Sequence, residues 1–283
     1  MSVKIIIDSA SDFTKVEAEE KGFIFMPMTI NVGEVDYQDG VDLLPEKFYE
    51  ILAQNEVLPK TSQITSYAFE QEIEKIVSNG DEVIVITISS ELSSTSDNAK
   101  RACEKFKEKA FAVDSLNACL GEKILALYAM ELVHKGLSAQ EIYKILEERK
   151  KDIKVIAVID TLEYLKKGGR LSGAAAVVGT LLNIKPIISV EDGLVKNIGK
   201  TMGQKKGFKQ LIDLVLGYGG ISFDMPYGII CSGNDTSNLE KFLEAGKELW
   251  QDDTLSPLIS KLGSTIGTHI GPGAIGLAFF TKR

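Results

Sequence analysis

The stretch best supplied for chemistry is Thr87 to Thr95, which reads TISSELSST. It closes an apolar run, Val83 to Ile88, and leads into a helical pattern over Ser96 to Lys107. In open α/β sheets ligands gather beyond the carboxyl ends of strands, where side chains meet the free N–H groups of the next helix. The four serines and the threonine that follow Ile88 could, at such a place, hold a carboxylate or a phosphate, or supply a nucleophile. Two further strand-like runs end in polar pairs, Asp8-Ser9 and Asp114-Ser115. Strand-to-helix turns need Ser or Asp as caps whatever the function, so either pair alone carries little. The hydroxyls of TISSELSST exceed what capping requires.

Other chemistries fail on count or context. The two histidines, His134 and His269, have no partner at metal-ligand spacing, so no metal site is expected. No Walker A lysine motif occurs. Gly271-Pro-Gly-Ala-Ile-Gly276 matches G-x-G-x-x-G but precedes a lone strand-like run rather than a βαβ unit, so no dinucleotide site is expected. No G-x-S-x-G elbow exists, which counts against a serine hydrolase or acyl transferase built from Ser93 or Ser94 with His269. His269 itself sits between Gly263 and Gly273 in what reads as a glycine-dense loop between two strands. Arg170 follows Gly168-Gly169 and is either a surface residue or a partner for a carboxylate or phosphate.

The elements that must position these residues alternate. Strand patterns at Lys4–Asp8, Phe23–Val32, Val83–Ile88 and Ala110–Asp114 are separated by helical patterns. The helices run from an Asp12 N-cap to Glu20, over Leu44–Gln54 with Pro45 at the first position, and over Ser66–Asn79 and Ser96–Lys107. Two more follow at Leu120–Lys135 and Ser138–Lys151. Glu34–Asp42 reads as an acidic loop and Pro59–Gln63 as a polar break. This spacing predicts a mostly parallel sheet flanked by helices. From Ile153 the pattern mixes hairpins with crossovers. Lys185–Val190 and Leu194–Lys200 pair across Glu191-Asp192-Gly193, and Ser172–Leu182 reads as a small-residue helix. Two α/β domains are therefore expected, 1–152 with the parallel sheet and 153–283 with a mixed one.

At 283 residues, 44% hydrophobic and 25% charged, the chain has the composition of a globular protein with a sizeable core. A net charge of −8 argues against a nucleic-acid binder. Cys103, Cys119 and Cys231 are odd in number and widely spaced, as expected of buried thiols in a reducing compartment. The start, MSVKIIIDSASD, does not read as a signal peptide, and Leu171–Ile184 is too short to span a bilayer. A cytoplasmic location without stable membrane insertion is expected. A basic run, Lys196, Lys200, Lys205, Lys206 and Lys209, has no acid between Gly193 and Lys209 and is a solvated face or a docking surface for an acidic partner.

Taken together, the motifs resemble the DegV family of bacterial fatty-acid-binding proteins. They are Asp8-Ser9-x-Ser11-Asp12, Lys60-Thr61-Ser62-Gln63, Ser89-Ser90-x-Leu92-Ser93-Ser94-Thr95 and Asp114-Ser115. They continue with Leu162 to Arg170, Lys185-Pro186 and Gly267 to Gly273, in order across nearly the whole chain. The resemblance implies a carrier, not an enzyme, with a long-chain fatty acid enclosed between two domains and no cofactor or catalytic residue. Its carboxylate would be held by Thr61, Ser93 and His269, supported by Ser62, Ser94, Arg170 and Thr268. The resemblance further implies a separate ATP-dependent fatty acid kinase as partner, making an acyl phosphate that a downstream acyltransferase feeds into phospholipid synthesis. Where family members often carry Arg after the hairpin, this chain has Lys200-Thr201.

Overall fold

The computed structural model describes residues 2–54, 58–173, 183–250 and 256–283. Among them the strands form three sheets. Strands β1 (Val3–Asp8) and β2 (Phe23–Met26) lie parallel and open the first. Strands β3 (Thr29–Val32), β4 (Val35–Gln38) and β5 (Lys60–Ser62) make a small antiparallel sheet ordered β4-β3-β5. Strands β6 (Glu82–Thr87) and β7 (Ala110–Asp114) return to the first sheet, which is ordered β2-β1-β6-β7 and parallel throughout. The mixed sheet begins with β8 (Ile153–Val158), β9 (Ile184–Glu191) and β10 (Leu194–Met202). It is completed by β11 (Gly228–Cys231), β12 (Leu258–Lys261) and β13 (Ile275–Phe280), in the order β10-β9-β8-β13-β11-β12. The expected pair of one parallel and one mixed sheet is what the chain forms.

The inner strands are β-branched runs because helices cover both their faces. Ile5 to Ile7 in β1 and Val83 to Ile86 in β6 are fully inaccessible. The helix Leu120–His134 is buried almost all round its first two turns and packs on β1 and β6 on one side and on β8, β11 and β13 on the other. It joins the two large sheets into a single apolar core. A second core, around Phe208, Phe242 and Phe279, fills the far face of the mixed sheet. The hairpin β9–β10 turns through Asp192 and Gly193, both at positive φ, as a two-residue turn that matches strand twist requires.

Several local expectations are corrected. Asp12 does not cap the helix that follows it: it closes the turn Ser9–Ser11 in the left-handed region, while Thr14 caps Lys15–Glu20. Asp tolerates that conformation, and its carboxylate is used across the molecule instead. The run Phe23–Val32 is two strands in two sheets, divided at Pro27, which cannot donate to a ladder. The acidic loop contains β4, and the polar break contains β5. Both are short and mostly polar, so hydrophobic alternation gives them no signature. The glycine-dense loop around His269 is a helix, Ser264–Ile270. The small-residue helix placed at 172–182 lies almost wholly outside the described residues.

Under the carboxyl edge of the parallel sheet lie four buried acids, Asp8, Asp12, Asp39 and Glu122. Burial raises the Asp8 carboxyl to about 7 and raises the other three as well. Because these folded values exceed those of the unfolded chain, the stability they confer is complete below about pH 4 and is lost as pH rises toward neutrality. His269 acts in the opposite sense between its ordinary value and about pH 4, as one group against four. Glu122→Gln keeps the shape of the side chain near Asp8 and cannot ionise. It is expected to flatten the fall in melting temperature as pH rises and so to stabilise the protein at alkaline pH relative to the wild type. Thermal melts across pH check this; an unchanged slope would show that Glu122 does not titrate over that range.

Candidate functional site

A cavity of about 370 Å³ lies between the parallel and mixed sheets, within the range of small-molecule sites. Its body is apolar. The mixed sheet contributes Val155, Ala157, Ile188 and Val195, and the first half of the chain contributes Ile88 and Leu92. Its polar groups are Thr61, Ser62, Gln63, Ser93, Ser94, Thr265, Arg170 and His269. No carboxylate is among the described lining residues. The chain thus brings together residues that are up to 208 positions apart.

Thr61, Ser93, Arg170 and His269 are held by four different segments. Thr61 is the middle residue of β5, paired opposite Ile30 of β3. Its Oγ1 lies 3.2 Å from His269 Nε2. Ser93 sits in the turn between β6 and the helix Thr95–Cys103. Its Oγ lies 3.0 Å from Thr95 Oγ1 and accepts from the Thr95 N–H at 3.3 Å. Thr95 Oγ1 also accepts from Ile64 N, and Asn98 Nδ2 donates to Ile64 O at 2.7 Å. The Thr61 and Ser93 segments are therefore stitched to each other just behind the cavity wall.

Arg170 serves the walls directly. Its Nε donates to Leu92 O at 3.2 Å and its Nη1 to Gly168 O at 2.6 Å, tying the Ser93 turn to the Gly168–Arg170 turn. Gly168 abuts the His269 ring so closely that a Cβ there would fall on Nδ1. Burial first, and the Arg170 charge second, hold the His269 imidazole down at about 4. The ring is therefore neutral at pH 7. The polar end as a whole offers hydroxyls, a neutral imidazole and a guanidinium, a set that receives an anion.

The remaining hydroxyls named from sequence have other tasks. Parallel pairing of β1, β6 and β7 does bring the three polar strand ends to one edge. There they bond to one another and to backbone. Asp8 accepts from Ala10 N and Ile88 N, and Ser90 Oγ donates to Asp114 at 2.6 Å. Ser89 Oγ donates to Gly193 O, seating the β9–β10 turn against the first sheet. Thr268 is buried, and its Oγ1 donates to Ser264 O within its own helix, away from the cavity lining. Gln63 and Thr265 line the cavity but were not singled out by sequence. Thr265 lies four residues before His269, on the same helical face; reading that segment as a loop hides the relation.

His269 meets Thr61 rather than Ser93 or Ser94, and its Nδ1 has no partner among the described residues, so the orienting acid of a catalytic triad is missing. Among the described residues no group of three or more His, Cys, Asp or Glu side chains could hold a metal ion, and no helix is long and apolar enough to cross a membrane.

A family model described as an uncharacterised protein of the DegV family matches residues 2–282. A DegV domain-containing protein of Caldanaerobacter subterraneus is 34% identical, with 99% of each chain covered. Among solved structures, a DegV family protein from Thermus thermophilus, described by its fatty acid binding, superposes with a TM-score of 0.89 at 27% identity over the whole of both chains. DegV of Bacillus subtilis, described as a fatty acid binding protein, superposes with a TM-score of 0.84 at 28% identity, again over both whole chains.

Proposed function

The chain belongs to the DegV family, and from that premise we propose that it binds a long-chain fatty acid in this cavity and presents the carboxylate to a separate ATP-dependent fatty acid kinase. The observation that carries the reading is the polarity of the cavity: an apolar body with Thr61, Ser93 and His269 at its hydroxyl-rich end and no acid among the described lining residues. Residues 1–152 would supply Thr61 and Ser93, and residues 153–283 would supply His269 and Arg170, so that the acid is enclosed by two units.

A bare carboxylate in an apolar cleft costs several kcal/mol, so donors must meet it. With the proton on Nε2, His269 donates to Thr61 Oγ1 and leaves the Thr61 hydroxyl proton free for the ligand. Likewise, when Ser93 Oγ accepts from Thr95, its own proton turns to the ligand. Two neutral O–H donors orient the carboxylate without binding it in a permanent ion pair, which leaves its oxygen nucleophilic. In the kinase reaction that oxygen attacks the γ-phosphorus of ATP, the bond to ADP breaks, and an acyl phosphate remains on the carrier for a downstream acyltransferase. The carrier has no nucleotide motif, so ATP is the partner's to bind. The exposed lysines of β10 and of the helix Gln204–Gly217, among them Lys200, Lys205 and Lys206, form a basic face for that partner.

Mass spectrometry of gently purified protein is expected to find a long-chain fatty acid, and addition of a cognate kinase with ATP to yield a hydroxylamine-trappable acyl phosphate. Protein that carries no acid and takes up none when offered would overturn the binding reading. Binding without kinase turnover would leave a lipid-sensing protein instead.

A further inference from the structure

We infer that Asp39, which lies outside the cavity, is the positioning residue that sets the distance between Thr61 and His269; this rests on the fatty-acid reading of the site. The helix that carries His269 has almost nothing of its own to hold it. It spans seven residues, Ser264–Ile270, includes Gly267, and begins at Gly263, which has no side chain with which to cap it. Short helices of such composition do not persist unaided, and the first N–H groups must find acceptors. Those acceptors come from remote chain. Asp39 Oδ1 accepts from Ser264 N at 2.9 Å and Oδ2 from Thr265 N at 3.2 Å, while Asp12 Oδ1 accepts from Gly263 N at 2.8 Å. Asp39 is 1% exposed, so water does not replace it.

The origin of Asp39 makes this cap more than a prop. It follows β4 directly, and its own N–H donates to Met28 O at the entry to β3. Strand β3 pairs with β5, which carries Thr61. One three-stranded sheet therefore holds Thr61 on one side and, through Asp39, the His269 helix on the other. The 3.2 Å contact between Thr61 and His269 closes that ring. At Gly267 the helix is pressed on Phe48 and Tyr49, where a Cβ would collide, so it cannot move toward them. The bidentate cap fixes the start of the helix from the other end. Asp12 holds the residue before the helix and shares the load.

The test compares Asp39→Asn and Asp39→Ala with the wild type, using oleic acid and methyl oleate as probes and the His269 imidazole NMR signals of ligand-free protein. Both variants are expected to bind oleic acid about tenfold or more weakly while methyl oleate changes by no more than about twofold, because only the acid needs the aligned donors. The His269 signals should move in the absence of any ligand. Gly263 has extended N-cap backbone, so Gly263→Ser supplies a cap from within the helix and should recover most of the oleic acid affinity in the Asp39→Ala background. Wild-type affinity together with wild-type His269 signals would overturn the inference, as would an equal loss for acid and ester, which marks a general prop. Wild-type protein that binds neither probe would instead overturn the fatty-acid reading, and the His269 signals would still decide whether the clamp exists.

Discussion

Thr61→Val is expected to weaken binding of a long-chain fatty acid by about 10- to 100-fold, the worth of a hydrogen bond to a charged group in a shielded site. Valine keeps the volume and the β-branch that suits β5, so the small sheet stays paired. It removes the hydroxyl that faces His269 Nε2 and deprives the ligand of one donor. Ser93→Ala should lose a similar amount. The two losses should combine less than additively, because both hydroxyls serve one carboxylate and their segments are joined through Ile64 and Thr95. Titration of wild type and the three variants with a fluorescent fatty acid, alongside its methyl ester, measures this. An acid affinity unchanged in the double variant would remove both hydroxyls from the head-group site.

The second large effect concerns the tail. Each buried methylene contributes about 0.8 kcal/mol, so affinity should rise about fourfold per added carbon until the cavity is full. Ala157 lines the cavity from near the carboxyl end of β8, next to Gly276 of β13, where a Cβ would meet the Ala157 methyl. These small residues leave the space that the tail would fill. Ala157→Leu places three more carbons in it. The variant should lose about 50-fold in affinity for the longest acids that wild type accepts, and little for acids three or four carbons shorter. Competition across a series of saturated acids gives the optimum. An optimum that does not shorten would place the tail away from β8.

Much of the scaffold was legible in the chain because its signals are local. The β-branched runs Val3–Asp8 and Glu82–Thr87 must be covered on both faces, and their alternation with amphipathic helices requires parallel pairing. The turn at Asp192-Gly193 announces a hairpin for the same local reason. Failures fall where local signals are weakest. Strand β5, Lys-Thr-Ser, has no apolar residue, and its pairing with β3 comes from a partner about thirty residues earlier in the chain. The His269 helix is mostly β-branched and flanked by Gly263 and Gly271, and the acceptors for its first N–H groups, Asp12 and Asp39, lie more than 220 positions away.

The stretch TISSELSST shows where the division lies. Its residue types and its place after a buried strand were enough to mark a strand end rich in oxygen ligands. Which hydroxyl faces the cavity was decided by contacts that the linear order does not contain. Ser89 is spent on Gly193 O, Ser90 on Asp114, and Ser93 and Ser94 line the cavity. By itself the sequence determined the two larger sheets, the ordered set of polar motifs and their family resemblance, since each depends on neighbours within a few residues. The tertiary structure alone decided that Thr61 meets His269, that Arg170 braces two backbone turns, and that a buried aspartate from a surface hairpin holds the histidine's helix. Each of those is a hydrogen bond between distant segments, whose geometry exists only once the core has brought them together.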